Sequence, residues 1–311
     1  MTTGRNNWVS GPYLIGLLLG IALLIRLLYL YQYAGIPDWT MLTVDNRYHH
    51  NWAKAIADGD IFGGTTYFRA PFYSFCLAAL YSLFGDSLVV GRLFGLFIGL
   101  ASVSMTFLLG QRIAGDRAGL IAGILHAIYP ITLYFEAELL LDPLFTLLLQ
   151  LTLYQWLKWL DLPQYRTILV TGLLLGLASI TRPTALLLTP LLLVSIWSSG
   201  RFGAITRSDL WKNAGLLVVG TALIVTAVTT RNLIIAADPV LISSQGGINF
   251  FIGNHEGSDG RSASMPEPFG HNWQLADVQF EAERAANREL KPGEVSSYWL
   301  GKGYEWISDN P

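Results

Sequence analysis

The sequence predicts an all-α polytopic membrane protein, with about seven transmembrane helices and interfacial helices in its first outer loop. Three observations predict it. Hydrophobic residues fill 52% of the 311 positions and charged residues 14%, with a mean hydropathy of +0.42; a soluble domain carries about 25% charged residues. Apolar runs close to the ~20 residues that a helix needs to cross a bilayer recur along the chain. The remaining charge is uneven, with 11 of 22 acidic residues lying after position 231. These features exclude a soluble enzyme, a disordered chain and a disulfide scaffold. A net charge of −2 leaves no basic surface for nucleic acid, and the single Cys76 cannot form an intrachain disulfide.

The first apolar run covers residues 13–33. It exceeds the ~7–15-residue core of a secretory signal and no small-residue cleavage site follows, so it reads as an uncleaved span. Residues 34–87 form the first outer loop. Within it, the aromatic-rich 71–84 (PFYSFCLAALYSLF) is assigned to the outer interface; counting it as a span would put Arg112 and Arg117 outside. Further runs cover 88–110, 119–135, 143–160 and 214–230, with two shorter ones, 167–180 and 184–197, joined by Thr181-Arg182-Pro183. The loop at 198–213 holds Arg201, Arg207 and Lys212 against Asp209, so the positive-inside rule makes it cytoplasmic and makes the two short runs separate spans.

The N-terminus is then inside and the C-terminus outside. Cytoplasmic segments hold Arg5, Arg112, Arg117, Lys158, Arg166, Arg201, Arg207 and Lys212 against Asp116, Asp161 and Asp209, and the other 19 acids fall outside. Two regions result: a transmembrane core over 1–231, with outer loop 34–87 and outer turn 136–142, and an outer-face region over 232–311. In the latter, 276–290 reads as an amphipathic surface helix.

Polar residues of four outer segments mark a candidate site. Asp45 begins a short amphipathic helix in which Tyr48, Trp52 and Ile56 recur at helical spacing; it reads equally as an N-cap or a catalytic carboxylate. Glu136, Glu138 and Asp142 crowd one apolar-flanked turn. Asp142 precedes Pro143, as a helix cap does, yet acids beside apolar spans are costly and often functional. Arg182 and Arg231 end spans on the outer side, where they either snorkel or grip a lipid phosphate bidentately. His49, His50 and His255 carry metal-ligating nitrogens, but adjacent histidines on a helix point apart, so the metal assignment is unknown. His126 lies mid-span and reads as packing. Arg26 and Arg92 require partners that the sequence does not name. No Gly-Lys-Ser/Thr phosphate loop, HExxH or Gly-x-Ser-x-Gly motif occurs.

Taken in order, these pieces resemble the C-type (GT-C) membrane glycosyltransferases of family 39, the group related to protein O-mannosyltransferases and the lipid A aminoarabinose transferase. The pieces are Asp45 with Tyr48 and Ala53, FRAPFYSFCLAALYSLFGDS, GRLFG, YPITLYFEAELLLDPLF, LASITRPTALLLTPLLL and RNLIIAADPVLISSQGGINFFIGNHEGSDG. The resemblance implies a transferase that moves a sugar from a polyprenyl-phosphate donor to an acceptor hydroxyl of a glycan, lipid or protein, on the outer face of a bacterial inner membrane. It implies Asp45 as base and Asp142 as the second acid, with Glu136 and Glu138 beside it. Arg182, with Arg231 and Arg69, would contact the donor phosphate, and Tyr48, Gln245, Asn249, Asn254 and His255 the substrate. No cofactor is assigned; a divalent metal ion is the alternative counter-charge. Two departures stand out. Arg69-Ala70 precedes Pro71 where the aminoarabinose transferase pattern has Glu-Lys, and Asn46 follows Asp45 where protein O-mannosyltransferases have paired acids. Relatives carry further spans, so the chain reads as the N-terminal portion of a longer protein. A transporter or flippase, or a non-catalytic membrane assembly protein for a lipid-linked glycan, is the alternative. The absence of an internal repeat and the gathering of polar residues at one face disfavour a transporter.

Overall fold

The computed structural model describes residues 11–201, 206–266, 270 and 273–310; Arg5 lies outside them. Among the described residues all regular structure is helical, as the composition predicts. Tertiary contacts divide the chain into two units: Met1–Ile61 with Phe72–Ile224, and Phe62–Pro71 with Val225–Pro311.

The first unit contains α1 (Gly11–Tyr33), α2 (Val44–Ala57), α3 (Phe72–Phe84), α4 (Leu88–Ala114), α5 (Asp116–Ile128), α6 (Pro130–Ala137), α7 (Asp142–Asp161), α8 (Tyr165–Ser179), a 3-10 turn (Pro183–Leu187) and α9 (Leu188–Arg201). The long α10 (Arg207–Ala236) begins here and continues into the second unit. Local chemistry sets the boundaries. Ser87 caps α4 by accepting from the Val89 amide at 3.2 Å. Gly115, at φ +88°, supplies the left-handed turn between α4 and α5. Pro130 cannot donate to the helical ladder and holds Tyr129 in an extended conformation, so α5 and α6 bend by 55°.

Successive long helices run back and forth. At one end Arg112 pairs with Asp161, Tyr165 donates to Asp209 at 2.6 Å and Trp159 donates to Asn213 at 2.9 Å. At the opposite end Tyr33 and Asn46 meet Glu138, and Arg182 meets Asp142. Without hydrophobic drive between helices in lipid, small residues let backbones approach closely. A Cβ on Gly172 would lie 2.4 Å from the Leu217 carbonyl oxygen of α10, and one on Gly110 would lie 2.9 Å from Gly119 of α5. The interfacial segment predicted at 71–84 forms α3, which buries Tyr73, Leu77, Ala78 and Tyr81 against α2 and α4.

Among the described residues three helices are long and apolar enough to cross a membrane, Tyr13–Tyr33, Leu88–Ala114 and Arg207–Ala236, and a fourth if the bent pair α5–α6 is one span. The sequence reading counts seven. The difference lies in α7, which carries Gln150, Gln155 and Lys158 along its 20 residues, and in the short apolar helices Tyr165–Ser179 and Pro183–Ser199. The chain is an integral membrane protein built partly from short and broken helices.

In the second unit, Phe62–Pro71 is stitched to the chain after α10. Buried Asn232 accepts from the Tyr67 amide and donates to the Val240 and Ile242 carbonyls, both at 3.1 Å. Asp238 accepts from Thr66 at 2.7 Å and from the Gly293 amide at 2.8 Å. α11 (Gly246–Ile252), α12 (Leu275–Ala286) and α13 (Pro292–Asp309) enclose Ile248, Phe251, Met265, Val278 and Trp299. The amphipathic helix predicted at 276–290 is α12; it stops at Asn287, whose φ of +52° ends it with a left-handed residue.

Candidate active site

The turn from Glu136 to Asp142 is the hub of the first unit. α4 receives it along a glycine stripe. A Cβ on Gly95 would fall 1.9 Å from the Glu136 carbonyl oxygen, one on Gly99 2.2 Å from its carboxylate, and one on Gly91 2.9 Å from the Leu139 side chain. The GRLFGLFIG spacing puts these three positions on one face of the helix.

The three acids of this turn have different surroundings. Glu136 is 5% exposed and takes two contacts from Arg26 of α1, Nη2 to Oε1 at 2.8 Å and Nε to Oε2 at 2.7 Å. Arg26 also donates to the Ala22 and Ala127 carbonyls. Glu138 is 5% exposed and accepts from the Tyr33 hydroxyl and from Asn46 Nδ2, the latter at 2.5 Å. Asp142 is half-buried and pairs with Arg182 Nη2 at 2.6 Å; the Arg182 guanidinium also lies 5.5 Å from the Phe145 ring centre. Two carboxylates are thus enclosed, and one is open with its cation. Asp142 is the first residue of α7, and the N-cap position belongs to Leu141.

Asp45 is exposed in the first turn of α2, where a carboxylate faces the positive end of the helix dipole. The N-cap position belongs to Thr43. The next residue, Asn46, is buried and bonded to Glu138, so the first loop and the Glu136–Asp142 turn meet one residue from Asp45. Arg92 supports the same loop: its guanidinium lies 3.9 Å from the Trp39 ring centre and donates to the Trp39 carbonyl at 2.7 Å.

The histidines of α2 serve packing. His49 Nδ1 meets Ser74 Oγ at 2.9 Å and His50 Nδ1 meets Tyr81 at 2.8 Å, so both pin α2 to α3. Tyr48 packs edge-on against His49 and Trp52. Among the described residues no three His, Cys, Asp or Glu side chains stand together as a metal-binding group.

The remaining candidates lie in the second unit. Arg231 donates to the Thr65 carbonyl at 2.6 Å and stacks 3.9 Å from the Tyr67 ring centre; Arg69 lies 5.9 Å from the Phe68 ring centre. Gln245 precedes α11 and its backbone N–H donates to the Phe68 carbonyl, while Asn249 is exposed on α11. Asn254 donates back to the Phe250 carbonyl at 2.7 Å. His255 is buried, with Nδ1 2.6 Å from the Glu256 carbonyl and Nε2 2.9 Å from that of Ser264, which makes it a loop-closing residue.

Sequence reasoning does not find Tyr33 or Asn46 and leaves Arg26 and Arg92 without partners. The glycine spacing of GRLFGLFIG is the one signal that could mark where the Glu136–Asp142 turn seats.

The chain matches the family described as dolichyl-phosphate-mannose-protein mannosyltransferase over residues 69–230, more than half its length. Glu136, Glu138, Asp142, Arg182 and Arg69 lie inside the matched stretch; Asp45, Arg231 and the polar residues from Gln245 to His255 lie outside it. No curated protein matches the chain. The glycine-seated acidic turn and its arginines therefore belong to a member of the dolichyl-phosphate-mannose-protein mannosyltransferase family, a membrane glycosyltransferase of the GT-C type.

Proposed function

We propose that this protein transfers a sugar from a polyprenyl-phosphate donor to an acceptor hydroxyl, with inversion, on the outer face of the membrane; in a bacterial inner membrane that face is periplasmic. The observation that carries the reading is the Asp142–Arg182 pair, a part-exposed carboxylate and guanidinium 2.6 Å apart. It stands on the same turn that Glu138 ties to the Asp45 helix.

Arg182 keeps donors beyond the one spent on Asp142, and a guanidinium matches phosphate oxygens in a fork. Asp45, exposed at the start of α2, is the base. As the acceptor oxygen bonds to the anomeric carbon, Asp45 takes the hydroxyl proton, a step worth ~10²–10⁴-fold. The bond from the anomeric carbon to the phosphate oxygen breaks with its electron pair, converting a phosphodiester monoanion into a lipid phosphate dianion. Arg182 stabilises the charge that grows there. Glu136, paired with Arg26, and Glu138, bonded to Tyr33 and Asn46, are enclosed and hold the turn instead of entering the chemistry. Tyr48, on the Asp45 helix, is the first unit's further contact for the sugar or acceptor.

The test is transfer of radiolabelled sugar from polyprenyl-phosphate monosaccharides in membranes carrying the wild-type chain or Asp45→Asn. Wild-type membranes should form labelled product and the variant should form none while inserting normally. Undiminished transfer by the variant removes Asp45 as base.

A further inference from the structure

Between α4, the bent α5–α6 pair and α7 lies a cavity of about 220 Å³. Its polar lining is Ser102, His126, Thr132, Glu136, Asp142 and Thr146, and the other walls are apolar. An engineered cavity of about 150 Å³ takes a benzene ring, so this space suits one six-membered ring with substituents.

One of its polar groups, the Ser102 hydroxyl, is left wanting a partner, while Glu136 and Asp142 are held by arginines. Ser102 is 3% exposed and its hydroxyl has no hydrogen-bond partner. Gln150 Nε2 donates to the Thr106 hydroxyl at 2.9 Å, and that hydroxyl lies 2.7 Å from His126 Nδ1. A hydroxyl left unpaired within a helical membrane bundle is costly. A ligand bearing uncharged hydroxyls would satisfy it.

The geometry points to a single monosaccharide ring as occupant: the sugar of the lipid-linked donor, seated among Ser102, His126 and Thr146. Asp142 lines the cavity and is 2.6 Å from Arg182, so a ring seated there directs its anomeric phosphate towards the guanidinium. This assignment rests on the lipid-linked-donor reading above and adds where the sugar sits.

Photo-crosslinking of the full chain in nanodiscs tests it. The probes are short-chain polyprenyl-phosphate hexoses and pentoses carrying a diazirine on the ring, and polyprenyl phosphate carrying one on its first isoprene unit. Ring label should fall on the peptides containing Ser102 and residues 126–146. Ser102→Leu, which fills the cavity, should cut ring labelling roughly tenfold while binding of bare polyprenyl phosphate stays within about twofold. Thr146→Val, which keeps the shape and loses the hydroxyl, should reduce ring labelling in the same direction. Ring label elsewhere, or isoprene label inside the cavity, overturns the assignment and leaves the donor reading standing. If neither the sugar conjugates nor bare polyprenyl phosphate bind, the donor reading fails and this one with it.

Discussion

Arg26 and Glu136 form a buried two-point ion pair between α1 and the end of α6, at 2.8 and 2.7 Å. Removing one member of a buried pair leaves an uncompensated charge and costs about 3–5 kcal/mol, whereas an apolar pair of similar volume is often neutral. Glu136→Ala and Arg26→Ala should each lower the thermal midpoint of the purified chain strongly, and Arg26→Met with Glu136→Leu should lower it less than either. A double variant as damaged as the sum of the singles would show that the two charges do not compensate each other.

The glycine stripe of α4 should be graded in its tolerance. Gly95→Ala sets a methyl group 1.9 Å from backbone at Glu136, which only a shift of the whole turn relieves, while Gly91→Ala meets the flexible Leu139 side chain at 2.9 Å. Overpacking that backbone must absorb costs about 1–3 kcal/mol or more. Gly95→Ala should lose both stability and transfer and Gly91→Ala should keep most of each, as read by thermal unfolding and the membrane assay. Equal effects would mean that the turn does not seat on Gly95.

Arg182→Lys should separate charge from shape. Lysine keeps the cation but cannot bond Asp142 and a phosphate at once through a planar fork. On the role proposed for Arg182, transfer should fall by roughly tenfold or more, and raising the donor concentration should recover part of it. Wild-type rates at limiting donor would remove Arg182 from the phosphate contact.

Packing of α2 on α3 should weaken in mild acid. Burial, the largest influence, holds the His50 imidazole below its ordinary value; Lys54 acts in the same direction and Asp86 against it, while Tyr81 contacts Nδ1. A histidine whose folded value is depressed contributes its stability above the unfolded value of about 6.5 and loses it as pH falls below that towards the folded value. Amide exchange in α2 should therefore quicken between about pH 7 and 5, and His50→Gln should flatten the profile. An unchanged profile in the variant would assign the effect to another group.

Patterns carried by consecutive residues are legible in the amino-acid order itself. Run length and composition identify the membrane helices, and a period near four in DNRYHHNWAKAIA identifies α2, because both properties are local. The glycines of GRLFGLFIG are visible as a motif, yet nothing local says that Glu136 lies over them. Asn46 looks like a missing acid beside Asp45; its place against Glu138, 92 positions away, shows a buried amide joining two loops. The span count diverges where α7 mixes polar residues into an apolar run and where Arg182-Pro183 divides two short helices.

Composition and apolar run length are enough to establish an α-helical membrane protein, and the few charges left draw attention to a single acidic turn. They cannot rank its acids. Glu136, Glu138 and Asp142 share residue type and neighbourhood, and their sequence contexts barely differ. Their fates part through distant partners: Arg26, 110 positions away, encloses Glu136, while Arg182, 40 positions away, meets Asp142 in the open. Burial and pairing depend on which helices are brought side by side, so they belong to the packed chain and not to the order of its residues.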